Sequence, residues 1–170
     1  ANTATTDDNS AWNDTAPTST VFSVGTSVAS NQSGSKIIAY CWRAISGYSK
    51  FGSFTGNGGS QEITVGFKPA LVVLKRSSNA SNWHVFDGTR QGSNPRSSAL
   101  NWDRDAAEAT NANMQFTDTG FNDNGFVSDN GETILYMAWA DTREAAFFRD
   151  VSGNNNNFTA VGLDYRDSMI

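Results

Sequence analysis

The sequence predicts an all-β protein, an antiparallel β-sandwich or jelly roll with an extra half-unit at the N-terminus. Three observations carry that reading. Short apolar or alternating runs are separated by Gly-, Asn- and Ser-rich clusters along most of the 170 residues, the pattern of short strands joined by tight turns. Charged residues make up only 17% and hydrophobic residues 38%, and Asn, Gly, Ser and Thr fill the gap. Gly and Asn accept positive φ at little cost and Ser and Asn compete for backbone hydrogen bonds, so this mixture suits turns and suits helices badly. Finally, one strand-like stretch occurs twice. Gly131-Glu-Thr-Ile134-Leu135-Tyr136-Met137-Ala138-Trp139 matches Gly34-Ser-Lys-Ile37-Ile38-Ala39-Tyr40-Cys41-Trp42 position for position, ninety-seven residues apart.

The elements follow in order. Residues 1–18 are polar and irregular, and Pro17 discourages helix. A strand is expected at 20–25, a polar loop at 26–33, and the first copy of the repeat as a strand at 36–44. Trp42 and Trp139, inside apolar runs, are read as core, and Cys41 as a small buried thiol. Residues 48–53 alternate as an edge strand, and Gly56-Asn57-Gly58-Gly59 is a turn. Residues 61–67 place Ile63, Val65 and Phe67 on one face, and Lys68-Pro69 ends the run. Residues 70–76 form a buried run. Residues 82–87 form a strand with Trp83 and Val85 on one face and His84 and Phe86 on the other.

Residues 88–98 are a polar loop, and 98–102 a short strand. Residues 103–110, with an acidic start, are the one expected helix. A strand at 114–117 leads to a turn cluster at 118–125, then a short strand at Phe126-Val127 and the long strand at 131–141. The chain thus divides into residues 1–46, the second half of a preceding β-repeat; 47–141, a complete sandwich unit; and 142–170, a turn-rich extension leading to a following module.

Composition excludes several functions. A net charge of −5 and a pI near 4.7 leave no electrostatic footprint for nucleic acid. A single cysteine forms no internal disulfide, and no apolar run reaches membrane-spanning length, so neither nucleic acid nor membrane insertion is expected. The start at Ala1 has no signal-peptide shape and no initiator Met, as expected for a piece of a longer protein.

Candidate chemistry is sparse. His84 lies near Asp87 and Arg90, but no Gly-x-Ser-x-Gly elbow accompanies it, so it reads as a strand histidine facing solvent or a hydrogen bond. Glu62, Glu108, Glu132, Glu144, Asp103 and Asp105 are the carboxylates available for glycosidase chemistry, but the sequence brings no two of them to the required separation, and solvated turn carboxylates account for them better. Asp118, Asn122 and Asn124 form an oxygen-rich stretch that could take Ca²⁺, as does 150–154. The spacing departs from the helix-loop-helix consensus, and hairpin turns explain the same residues. Tryptophans outside the apolar runs are candidates for stacking on sugar rings. Trp102, flanked by Asn101 and Asp103, leads, with Trp83 and Arg90 alongside and Trp12 as a further aromatic; filling of the sandwich core or a subunit interface by all five tryptophans is the favoured alternative.

Several segments, taken in order, carry a resemblance. They are 12–26, Ile38-Ala-Tyr-Cys-Trp42, Gly47-Tyr-Ser-Lys-Phe-Gly-Ser-Phe-Thr-Gly-Asn-Gly58, 65–76, Trp83-His-Val-Phe-Asp87 and 150–159. Together they resemble a repeat of large virion proteins of tailed bacteriophages, particularly marine and cyanobacterial phages. There the unit recurs in tandem and is often joined to a laminin-G/concanavalin-like jelly roll. The resemblance implies a tail fibre, spike or capsid-surface appendage. Such a protein would assemble with itself and other virion proteins, present the loops 88–96 and 118–124 to host-surface glycans, and stand on the virion, outside the cell. It implies no catalytic residue, so no enzyme is expected. A polysaccharide-degrading depolymerase with a carboxylate pair, and a secreted carbohydrate-binding lectin, are the alternatives.

Overall fold

A computed structural model describes residues 9–141 of the chain. They fall into two compact units, one of residues 4–42 and one that begins at Arg43. The expected extension at 142–170, with Glu144 and the 150–154 stretch, lies outside the described residues.

The unit that begins at Arg43 is an all-β sandwich. Its strands are β1 (Ser49–Thr55), β2 (Ser60–Thr64), β3 (Pro69–Arg76), β4 (Trp83–Asp87), β5 (Leu100–Asn101), β6 (Met114–Phe116), β7 (Gly120–Asn124) and β8 (Thr133–Ala140). Five of them form one sheet in the order β1-β8-β3-β4-β5, and three form the other in the order β2-β7-β6. All the pairings are antiparallel.

Period-two alternation decides what meets between the sheets. Val72 and Leu74 of β3, Phe86 of β4, and Ile134, Tyr136 and Ala138 of β8 face inward from the large sheet. Ile63, Met114, Phe116 and Phe121 meet them from the small one. Phe86 and Phe121 are fully buried, and each stabilises the fold by about 2–3 kcal/mol through apolar area removed from water. Tyr136 stands edge-on to Phe121, with ring centroids 5.8 Å apart. Its ring also lies over its register partner Gly52, where a Cβ would come within 2.8 Å of the phenolic oxygen. Gly120 lets the β2–β7 ladder close, since a Cβ there would sit 2.1 Å from the Ile63 carbonyl oxygen.

The outer face of the large sheet is also apolar. Register places Leu71 and Val73 of β3, Val85 of β4, Leu135, Met137 and Trp139 of β8, and Phe51 of β1 on it. Val73 and Val85 are buried there by their neighbours, and Trp139 packs edge-on against Phe51 at 5.5 Å. The unbroken apolar run of β8 thus reflects a strand with apolar neighbours on both faces. Trp139 lies on this outer face, half-buried, and not in the core between the sheets.

Three expectations within this unit are corrected. Residues 118–125 are not one turn cluster: β7 runs through 120–124, because pairing with β2 and β6 overrides the turn preference of Gly, Asn and Asp. Phe126 and Val127 belong to the turn after it. Residues 103–110 form no helix; Ala109 instead exchanges backbone hydrogen bonds with Ala99, both 2.9 Å, and holds the segment extended.

The unit of residues 4–42 carries two single-turn helices, α1 (Asn9–Trp12) and α2 (Val28–Asn31), the second capped by the Ser27 hydroxyl. They are tied by Ser27 N–H donating to Ser10 O at 2.8 Å and by Ser30 Oγ donating to Ala11 O at 3.0 Å. Neither expected strand forms here. Around 20–25 the Thr18 hydroxyl and the Thr18 N–H bond to Val21, making a turn. Residues 36–44 find no strand to pair with among the described residues. Trp42 is 52% exposed and the Cys41 thiol is exposed, so neither is a core residue of this unit.

Candidate functional site

Two of the tryptophans selected from the sequence, Trp83 and Trp102, lie at the β5 edge of the large sheet, whereas Trp12 lies in α1 of the other unit. β4 alternates, so Trp83, Val85 and Asp87 point outward while His84 and Phe86 point inward. β5 pairs Asn101 with His84 and Leu100 with Val85. One step further, Trp102 N–H donates to Trp83 O at 3.0 Å, which sets the two tryptophans opposite each other on the outer face. Trp83 is half-buried, and Trp102 is 52% exposed. The Asp103 carboxylate locks this corner: its Oδ1 accepts the Trp83 backbone N–H at 3.1 Å.

Alternation splits the rest of the candidate set. Asn101, the register partner of His84, stands on the opposite face from the tryptophans. Asn101 Oδ1, His84 Nδ1 and Asp103 Oδ2 are buried and make no hydrogen bond among the described residues. His84, expected to face solvent or a hydrogen bond, is part-buried with Nδ1 unbonded among the described residues, and lies edge-on to Phe126 with ring centroids 5.1 Å apart. Burial pushes its pKa below the ordinary histidine value, against the opposing pull of Asp103. Lys75, register partner of Trp83, is only 2% exposed, and its Nζ donates to Arg76 O at 2.6 Å. Burial lowers its pKa, Asp103 raises it and Arg76 lowers it further.

Arg90 does not join the tryptophans. It sits past the far end of β4, where its Nε donates to Asp87 Oδ2 at 2.8 Å and its Nη1 to Glu108. The carboxyl of Asp87 is pushed up by burial, but hydrogen bonds from Arg90 and from the Thr89 N–H outweigh this and hold it below the usual range.

The oxygen-rich stretch does not converge as a Ca²⁺ loop. Asn122 Oδ1 accepts Gln61 N–H at 3.0 Å and the Ser60 hydroxyl at 3.1 Å, and Asn124 Nδ2 donates to Asn113 O at 2.9 Å. Asp118 is exposed in the β6–β7 hairpin. Among the described residues no three His, Cys, Asp or Glu side chains are placed to hold a metal ion. Two further candidate carboxylates have local partners: Glu62 accepts from Thr117 Oγ1 at 3.2 Å and Glu132 from Ser78 Oγ.

The residue that sequence reasoning passed over is Asp123. It is fully buried and organises the turn after β7 by accepting three backbone N–H groups. Its signal was present in Asp123-Asn-Gly125, since Asp two residues before Gly favours a side-chain-to-backbone turn.

Fold and edge together define a β-sandwich module that displays paired tryptophans on a sheet margin. The chain belongs to the family described as a domain of unknown function, DUF7483, whose model matches residues 1–143 and so spans every described residue. No curated protein and no solved structure matches the chain.

Proposed function

We propose that this chain is a structural and attachment module of a tailed-phage virion that holds a host-surface glycan against the Trp83–Trp102 edge. One observation carries the site: Trp102 stands half in solvent directly across from Trp83, on a corner fixed by Asp103. An indole presents a flat apolar face suited to the C–H face of a sugar ring, with its N–H free to bond at the wet rim. The exposed Arg104 and Asp105 follow at once in the chain and can bond hydroxyls. A net charge of −5 disfavours polyanions and favours a neutral polysaccharide. Each contact is weak, and copies in a self-assembled fibre or spike multiply it. The virion assignment rests on the order of segments quoted above.

Titration with neutral host-surface polysaccharide, followed by tryptophan fluorescence, tests the site. Trp102→Ala abolishes the signal change and leaves the thermal transition in place. Equal binding by wild type and Trp102→Ala overturns the assignment. Release of reducing sugar during incubation replaces it with the depolymerase reading.

A further inference from the structure

We propose that residues 36–42 are a strand of a second sandwich of this same kind, lying there between a β1-type and a β3-type strand as β8 does here. The first observation is the sequence match with β8. In that register Ile37, Ala39 and Cys41 take the positions of Ile134, Tyr136 and Ala138, which face the core. Ile38, Tyr40 and Trp42 take those of Leu135, Met137 and Trp139 on the outer face. Ala138 is completely buried, so its slot admits a small side chain, and cysteine is one.

The second observation is geometric. The glycine that opens each copy has the same left-handed backbone, φ 78° at Gly34 and 81° at Gly131, so the entry turn is already built in both. The third is that the first copy is uncovered. Ile38 is 77% and Tyr40 75% exposed, and the backbone of 36–41 makes no hydrogen bond among the described residues. A segment outside any helix, with exposed apolar side chains and open backbone N–H and C=O groups, is a template for pairing. The slot it fits in its own chain is filled by β8, which bonds to β1 on one side and β3 on the other. The acceptor is therefore another unit of this fold that lacks its own closing strand.

Two experiments decide this. In the first, residues 133–139 of the full chain are replaced by the sequence of 36–42, with Cys41→Ser at the original site, so that the one thiol stands at position 138. The chimera unfolds in a single cooperative transition, and its thiol reacts at least ~100-fold more slowly than in denaturant. A second chimera that retains Tyr136 removes the cavity left by the transplanted alanine. Loss of cooperative unfolding in both chimeras overturns the proposal.

In the second, a synthetic peptide of residues 33–44 is added to the full chain carrying Cys41→Ser, Ile134→Asp and Ala138→Asp, which empties the slot. The peptide restores the transition and its own thiol becomes protected. A control peptide with Ile37→Asp and Cys41→Asp does neither. A native-sequence peptide that fails at millimolar concentration, or a control that works equally well, overturns the proposal.

Discussion

The Asp123 carboxylate accepts the Ser128 backbone N–H at 2.8 Å, with both residues completely buried. The same carboxylate takes the N–H of Val127 at 3.0 Å and of Phe126 at 3.2 Å. A buried carboxyl group whose oxygens accept successive backbone donors is stabilising, and each orphaned donor is costly. Asp123→Ala is expected to cost about 3 kcal/mol and Asp123→Asn about half that, since the amide keeps one acceptor. Urea midpoints at constant m-value check both, and an Ala variant within 0.5 kcal/mol of wild type, roughly the range of a neutral surface change, contradicts the account.

His84 gives the sandwich a pH dependence in a defined window. The unfolded imidazole titrates near 6.5, and burial holds the folded one lower. Protonation therefore favours the unfolded chain. The stability that goes with neutral His84 is complete above pH 6.5 and is lost as pH falls from there toward the folded-state value. Asp87 acts in a separate range: held below its ordinary 3.8, it contributes stability that is lost only as the pH falls below that value. Between pH 7 and 5 the urea midpoint of wild type should decline and that of His84→Gln should stay flat. Two parallel curves refute this.

Arg96 should not tolerate lysine. It is buried, its guanidinium lies 3.8 Å above the Phe116 ring centroid, and its Nε donates to Asp87 O at 2.8 Å. A lysine keeps the charge but loses the planar stacking and the fork of donors. Arg96→Lys is expected to cost about 1–2 kcal/mol by thermal unfolding. A melting temperature equal to wild type shows the stacking to be unimportant.

Gly120→Ala tests the closest approach in the small sheet. The added Cβ would lie 2.1 Å from a backbone oxygen, which no rotamer change relieves. A loss of about 2–3 kcal/mol is expected. Gly92→Ala, where nothing lies within 4 Å of the added carbon, is the neutral control. Equal midpoints for the two variants contradict the packing described.

Much of the large sheet was legible because its strands carry their own signal. Ala70–Arg76 and Ile134–Trp139 are apolar runs too short for helices, and Trp83–Asp87 alternates. β7 was hidden because Gly120-Phe-Asn-Asp-Asn124 has turn composition, and pairing with β2 on one side and β6 on the other makes it a strand. The opposite error fell on 36–44, where apolar content was present and a neighbouring strand was not. Acidic and alanine residues at 103–110 looked helical until Ala99 bound Ala109. At the site, the structure sets Trp83 opposite Trp102 beside Asp103, a pairing that their separation in the sequence does not reveal. Asn101 fell on the other face because neighbours in a strand alternate, a separation that residue proximity in the sequence does not reveal.

The sheet margins carry one more consequence. β5 is two residues long and β6 three, the five-residue margin strand β2 carries the exposed Glu62, and the longest margin, β1, bears Lys50, whose Nζ donates to Thr64 O at 3.0 Å. Such borders offer a stray polypeptide little to zip onto, so runaway fibril growth by lateral stacking is resisted even where many copies crowd together.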